Sequence, residues 1–212
     1  MNILLAGKYF TGVNPLNFNI ISFFKSKKFN IKITEEKFDI DFLKMNEIEL
    51  IINSGYGPII SEDIIDYYSN KIINMHNSYL PNGRGIYPNL WSIFCNYQSG
   101  ITLCYLDKDI DTGDIIFQKK INFEDDSITL KESWMILQKE LSKSLIENMS
   151  EIINPINLYK QSDINEKPSY HNREFSEALL RVLPKKWETT HHEVKQIGKK
   201  FNFSYEKFIA SL

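Results

Sequence analysis

The chain has 212 residues, with 25 Lys and Arg set against 27 Asp and Glu for a formal net charge of −2. Hydrophobic residues make up 42% and charged residues 25%, an ordinary globular balance that suits one domain, or one domain with a short appendage, around a sizeable core. The basic excess of a nucleic-acid-binding domain is missing, so no nucleic-acid partner is expected and a small-molecule substrate is favoured.

Residues 2–6 read as a short buried strand ended by Gly7, and the stretch MNILLAG lacks the basic region and long apolar run of a signal peptide. No stretch approaches the roughly 18 apolar residues of a membrane span. A cytoplasmic protein without a membrane partner is therefore expected. Residues 15–25 follow as a helix, 30–34 as a second strand and 38–45 as a short helix. Residues 49–54 form a β-branched run closed by Gly55 and Gly57. Ser61 heads a helix over 61–68, with Glu62 and Asp63 suited to its N-terminus, and 71–75 is the next strand. Short apolar strands alternating with helices predict an α/β protein with an open, mostly parallel Rossmann-like sheet and helices on both faces.

Residues 77–87 read as a loop, 88–97 as a helix carrying Leu90, Trp91 and Phe94, and 100–106 as a strand. An acidic loop spans 107–113, and a strand over 115–123 pairs next. Leu130, Trp134, Leu137, Leu141, Leu145, Met149 and Ile152 recur at helical spacing as one core-facing stripe, opened by Thr129 and Glu132 in a capping-box pattern. Beyond Pro155 the pattern weakens. The expected division is a domain over 1–154 and a small α-rich or irregular C-terminal extension over 155–212. Cys95 and Cys104 belong to no CxxC or Cys/His cluster, which argues against a disulfide scaffold or a zinc site.

Polar groups gather at 74–85 and 107–114, beyond predicted strands, where open α/β sheets bind ligands. Asn74 and His76 are two apart, so an extended segment turns both to one side. An amide there can stabilise a developing oxyanion and an imidazole can hold or move a proton. Asp111, 35 residues after His76, would supply the orienting carboxylate. An N-x-H pair alone is more often structural than catalytic. Asp107, Asp109 and Asp111 imitate a calcium loop, but Thr112 stands where glycine is required and Gln118 where the closing glutamate belongs. His191-His192-Glu193 lacks the second histidine of HExxH and is expected to be exposed; no metal ligand is expected. GxGxxG, P-loop and G-x-S-x-G motifs are absent.

The run Asn74-Met75-His76-Asn77-Ser78-Tyr79-Leu80-Pro81, then Arg84-Gly85, Pro88 and Trp91, then Asp111-Thr112-Gly113-Asp114-Ile115 resembles the formyltransferase family. That family includes glycinamide ribonucleotide transformylase, methionyl-tRNA formyltransferase and the sugar N-formyltransferases. Its motif is N-x-H-x-S-x-L-P with D-x-G farther on, and the resemblance covers about residues 48–150. S-Y-L-P-x-x-R-G-x-x-P-x-x-W, I-D-T-G-D-I-I and Gln118 look most like the sugar N-formyltransferases, which act on nucleotide-linked amino sugars such as dTDP-amino-dideoxyhexoses. The glycine-rich phosphate loop of the purine enzyme is replaced by Gly7-Lys8-Tyr9-Phe10. The tRNA enzyme's basic C-terminal domain has no counterpart in 155–212. Only 73 residues precede Asn74, fewer than in the purine and tRNA enzymes, so the resemblance implies a β-α unit shortened or missing.

The resemblance implies 10-formyltetrahydrofolate as formyl donor and the amine of a nucleotide-linked amino-deoxy sugar as acceptor, in surface polysaccharide synthesis. It implies Asn74, His76 and Asp111 as the reaction centre. Tyr56, Gly57, Ile59, Leu106, Asp107 and Ile110 would meet the folate. Ser78, Tyr79, Asn82, Arg84 and Gly85 would meet the nucleotide sugar, although Ser78, Tyr79 and Arg84 also read as loop anchors. A homodimer is a further implication. The alternatives are a glycinamide ribonucleotide or other small-amine transformylase, and a non-catalytic folate- or nucleotide-binding module.

Overall fold

A computed structural model describes residues 1–12, 16–154 and 158–212. The expected helix start at Pro15 and the start of the expected extension at Pro155 lie outside the described residues. Along the chain run β1 (Asn2–Ala6), α1 (Phe18–Ser26), β2 (Asn30–Thr34), α2 (Ile40–Met45), β3 (Leu50–Asn53), α3 (Glu62–Tyr67), β4 (Ile72–His76), β5 (Arg84–Gly85) and α4 (Pro88–Phe94). Then come β6 (Gly100–Tyr105), β7 (Ile115–Lys120), α5 (Leu130–Glu147), α6 (Met149–Ile153), β8 (Tyr170–His171), α7 (Arg173–Val182), α8 (His191–Lys200) and α9 (Tyr205–Ile209).

Six strands form one sheet in the order β2-β1-β3-β4-β6-β7. The pairs β1–β2, β1–β3 and β3–β4 are parallel, and β6 turns antiparallel to β4. The mostly parallel sheet is as expected, and the apolar runs lie on its inner strands β1, β3 and β4, whereas the edge strand β2 (NIKIT) is largely exposed. Two sequence-distant strands whose ends meet side by side set up the site described below: Asn53 of β3 stands in register with Asn74 of β4.

The chain forms two compact units. The first comprises Met1–His76, Thr102–Phe117 and Gln138–Asp163, and the second Asn77–Ile101, Gln118–Leu137 and Ile164–Leu212. The expected boundary after residue 154 falls inside the first unit, and the C-terminal residues form part of the second unit's own core.

In the first unit, Leu4, Ala6, Ile51 and Ile72 pack with Leu43 of α2 and Ile64 of α3. Side chains alternate along a strand, so Ile3, Leu5, Ile52 and Ile73 point the other way. They are also fully buried, so both faces of the sheet are covered. Buried Asn17 donates to Ser54 Oγ at 3.0 Å and accepts from Ser142 Oγ at 2.6 Å. It thereby ties the segment before α1 to the end of β3 and to α5. The α2 helix is capped by Asp39, which accepts from Phe42 N at 2.8 Å.

In the second unit the core is aromatic. Trp91 is fully buried, donates to Ser176 Oγ at 2.8 Å and lies flat on His171, 4.3 Å between centroids and 9° between planes. Tyr205 and Phe208 meet it edge-on. Strands β5 and β8 pair in parallel, Arg84 with Tyr170 and Gly85 with His171. This pairing corrects the expectation of a plain loop over 77–87; two-residue strands carry no periodicity by which a sequence could announce them. Gly85, at φ +92°, has no room for a side chain: a Cβ there would sit 2.2 Å from the His171 carbonyl oxygen.

The apolar stripe of α5 and α6 is buried at Leu130, Leu137, Leu141, Leu145, Met149 and Ile152. The expected capping box is present: Thr129 N donates to Glu132 Oε2 at 2.8 Å and Glu132 N to Thr129 Oγ1 at 3.2 Å. The expected exposure of 191–193 is corrected at its first residue. His191 is fully buried, with Nε2 2.8 Å from Ser133 Oγ and its ring edge-on to Phe123. It opens α8 behind the capping box of Thr190 and Glu193, which turns it inward. Among the described residues, no helix is long and apolar enough to cross a membrane.

Burial pushes both His171 and His191 from 6.5 down to about 4. Below pH 6.5 the unfolded chain binds protons at these rings while the folded chain does not, so stability falls as pH drops from about 6.5 to about 4. Both ring nitrogens of His171 lack a hydrogen-bond partner. His171→Phe is therefore expected to hold stability at pH 7 within about 1 kcal/mol, since an apolar group of like shape removes two unpaired polar atoms. It should also flatten the acid-side loss. Urea unfolding of both proteins across this pH range measures it; an unchanged slope would contradict the assignment.

Candidate functional site

The expected trio comes together within the first unit. Asn74 and His76 lie on β4, and their side chains are carried on the same face by the two-residue repeat. They are 7% and 6% exposed. Asp111 arrives from the loop after β6 with φ at +54°, a left-handed conformation that aspartate tolerates better than most residues. Asn74 Nδ2 donates to Asp111 Oδ1 at 2.7 Å. His76 Nδ1 lies 3.6 Å from the same oxygen, within ion-pair reach and longer than a hydrogen bond.

The loop that delivers Asp111 is fastened by its backbone. Gln161 Nε2 donates to the Asp111 and Gly113 carbonyl oxygens, both at 2.9 Å. Gly113 passes so close to β6 that a Cβ would sit 2.0 Å from the Tyr105 carbonyl oxygen, which explains the glycine of D-x-G. Asn74 is fastened in turn by Asn53, whose Nδ2 donates to Asn74 Oδ1 at 3.0 Å. Tyr56 N donates to Asn53 Oδ1 at 3.3 Å. Sequence reasoning misses both Asn53 and Gln161. Asn53 had a signal: it ends one apolar strand as Asn74 follows the apolar start of the next, IIN in each case. Gln161 sits far outside the motif and had none.

The six residues expected to meet folate all lie in the first unit and divide by exposure. Tyr56 stacks on Phe38 at 5.2 Å and donates its hydroxyl to the Glu36 carbonyl; burial raises its pKa. Leu106 packs against the core, and Asp107 accepts from Lys108 N. Ile59 and Ile110 stand 89% and 55% exposed, and the Cβ direction of Gly57 opens onto empty space. The two isoleucines are uncovered apolar side chains.

The five residues expected to meet the nucleotide sugar belong to the second unit. Ser78, also read as a loop anchor, is fully buried, and its hydroxyl donates to the Asn82 carbonyl at 2.7 Å. Tyr79 lies under Lys120 Nζ at 5.3 Å. Asn82 Nδ2 donates to Glu166 Oε2 at 3.0 Å, and Arg84 N to the Ser169 carbonyl at 3.0 Å. Gly85 is set by the close pass of His171. Residues 166–171 thus brace this loop, a role that nothing in their sequence announces.

Gly113→Ala is expected to cost about 1–3 kcal/mol of stability in urea unfolding, because the atom it would strike is backbone. A loss below about 0.5 kcal/mol would mean that the loop yields.

Residues 16–146 match the formyl transferase family. Over 175 residues the chain is 29% identical to a methionyl-tRNA formyltransferase of Clostridium tetani, covering 81% of this chain and 54% of that protein. Over 114 residues it is 35% identical to the phosphoribosylglycinamide formyltransferase of Bacillus subtilis, covering 51% and 56%. The chain spans about half the length of these curated relatives. Among solved structures it is similar to the formyltransferase PseJ of Anoxybacillus kamchatkensis, crystallised with UDP-4,6-dideoxy-4-formamido-L-AltNAc and tetrahydrofolate. The TM-score is 0.81 at 28% identity, with 93% of this chain and 100% of that chain covered. With more than half of its length matched, and with the motif's amide, imidazole and carboxylate gathered on one oxygen, the chain belongs to the formyl transferase family.

Proposed function

We propose that the chain is a folate-dependent N-formyltransferase that moves the formyl group of 10-formyltetrahydrofolate to the amine of a nucleotide-linked amino-deoxy sugar. The observation that carries the chemistry is the sharing of Asp111 Oδ1 between Asn74 at 2.7 Å and His76 at 3.6 Å. The folate is consistent with the residues present: Ile59 and Ile110 are exposed apolar side chains and Gly57 leaves open space on its Cβ side, features that a flat pterin could cover. The donor supplies an activated formyl carbon; the acceptor nitrogen bonds to it as its bond to the folate nitrogen breaks.

The remaining work falls to the chain's own groups. Asn74 Nδ2 carries two hydrogens, and Asp111 takes one. The second is the donor for the charge that develops on the formyl oxygen, a contribution of roughly 3 kcal/mol for one well-placed donor. The Asp111 carboxylate, 3.6 Å from His76 Nδ1, would close onto that nitrogen in the reacting complex and leave proton transfer to Nε2. The proton lost by the acceptor amine is handed to the departing folate nitrogen through this pair.

The choice of a nucleotide sugar is supported by the likeness to PseJ, a protein crystallised with a UDP-linked formamido sugar and matched over its whole chain. A role in surface polysaccharide synthesis and a cytoplasmic setting belong to the same reading. The identity to the Bacillus subtilis purine enzyme favours glycinamide ribonucleotide as the second reading. The test is a panel of dTDP-, UDP- and GDP-linked amino sugars, with glycinamide ribonucleotide alongside, incubated with 10-formyltetrahydrofolate and read by mass spectrometry for the gain of one CO unit. Gain on an amino sugar is expected; gain on glycinamide ribonucleotide alone would replace this reading with the second. Asp111→Asn is expected to lower kcat by at least about 100-fold, and unchanged turnover would remove Asp111 from the chemistry.

A further inference from the structure

Asparagine side chains present nearly identical outlines either way round, so what fixes their sense is the network they join. Here two amides stand in series between groups of fixed polarity. At one end is the backbone N–H of Tyr56, which can only donate. At the other is the Asp111 carboxylate, which when ionised can only accept. Tyr56 N reaches Asn53 Oδ1 at 3.3 Å, Asn53 Nδ2 reaches Asn74 Oδ1 at 3.0 Å, and Asn74 Nδ2 reaches Asp111 Oδ1 at 2.7 Å. Only one sense of both amides satisfies all three bonds. The in-register pairing of Asn53 with Asn74 on neighbouring parallel strands makes the middle bond a product of the sheet itself.

We infer that Asn53 is a positioning residue for formyl transfer: it touches no reacting atom and holds Asn74 with its NH2, not its oxygen, toward the reaction centre. The inference rests on the proposed activity and adds to it a residue outside the motif. The change Asn53→Asp would keep the Tyr56 bond but lose the donor, setting two carboxylates in competition for one amide group. The change Asn53→Ala would remove the donor without adding the competitor.

The experiment compares wild type, Asn53→Asp and Asn53→Ala in steady-state kinetics on the substrate that the panel identifies. Expected is a kcat order of wild type, then the alanine variant, then the aspartate variant, with losses of about tenfold and about 100-fold and KM for 10-formyltetrahydrofolate within about threefold of wild type. The kcat of Asn53→Asp relative to wild type should climb as pH is lowered from about 8 to about 5, because a protonated carboxyl regains a donor. A packing role gives the opposite order, since aspartate is the closer match in shape; that order, or a kcat within twofold of wild type in Asn53→Asp, overturns the inference. A substrate-free arm follows the Asn74 side-chain amide signals by ¹⁵N NMR, assigned by their loss in Asn74→Asp. They should move in Asn53→Asp while circular dichroism stays native, and unmoved signals overturn the inference. Wild type inert across the panel sinks the formyl-transfer reading alone, and the amide signals then decide the role of Asn53.

Discussion

The candidate site is organised around one carboxylate oxygen. Asp111 Oδ1 draws an amide from one position of β4 and an imidazole from two positions later. Neither contact survives unless the strand end and the acidic loop are both held. The strand end is held by the sheet, where β4 lies between β3 and β6. The loop is held by Gln161 on its carbonyls and by Gly113 against β6. A left-handed aspartate in such a loop is conformationally costly on its own, so the fastening is what makes the carboxylate's position reproducible.

The two units divide the residues of interest in a simple way. Asn74, His76, Asp111 and the exposed isoleucines belong to the first, which is an α/β sheet with both faces covered. The loop 77–87, with its motif serine, arginine and glycine, belongs to the second, where β8 and an aromatic core built on Trp91 define its course. Motif residues therefore answer to two different kinds of constraint. Asn74, His76 and Asp111 are placed by strand register and backbone fastening, whereas Gly85 is required by the close pass of a neighbouring strand and Ser78 by the loop's own hydrogen bonds.

The α/β character was legible because buried parallel strands leave unbroken apolar runs, and LLA, LIIN and IINM are such runs. The trio was legible because β-strand alternation couples Asn74 to His76 and a short motif points to Asp111. Three things were hidden for physical reasons. The bonds of Asn53 and Gln161 join residues 21 and 50 positions away from their partners; the repeated IIN hints at the first, and nothing local announces the second. The burial of His191 depends on a helix start that turns inward, which a sequence of two histidines and a glutamate does not reveal. The share of 164–212 in the second unit's core arises from scattered aromatics, Phe175, Tyr205 and Phe208 among them, with no long apolar stripe to announce it.

That second unit is assembled from three stretches of chain, with pieces of the first unit lying between them in sequence. During synthesis, Trp91 must emerge long before His171, Ser176 and Phe208 exist to cover it. The early strands can find one another as they appear, but the aromatic nest is complete only once α9 has emerged. Contacts of such sequence separation slow folding and prolong the exposure of sticky surface. A chain halted short of α9 would lack Tyr205 and Phe208, the two rings that meet this indole edge-on, and would leave part of a large apolar group without its cover.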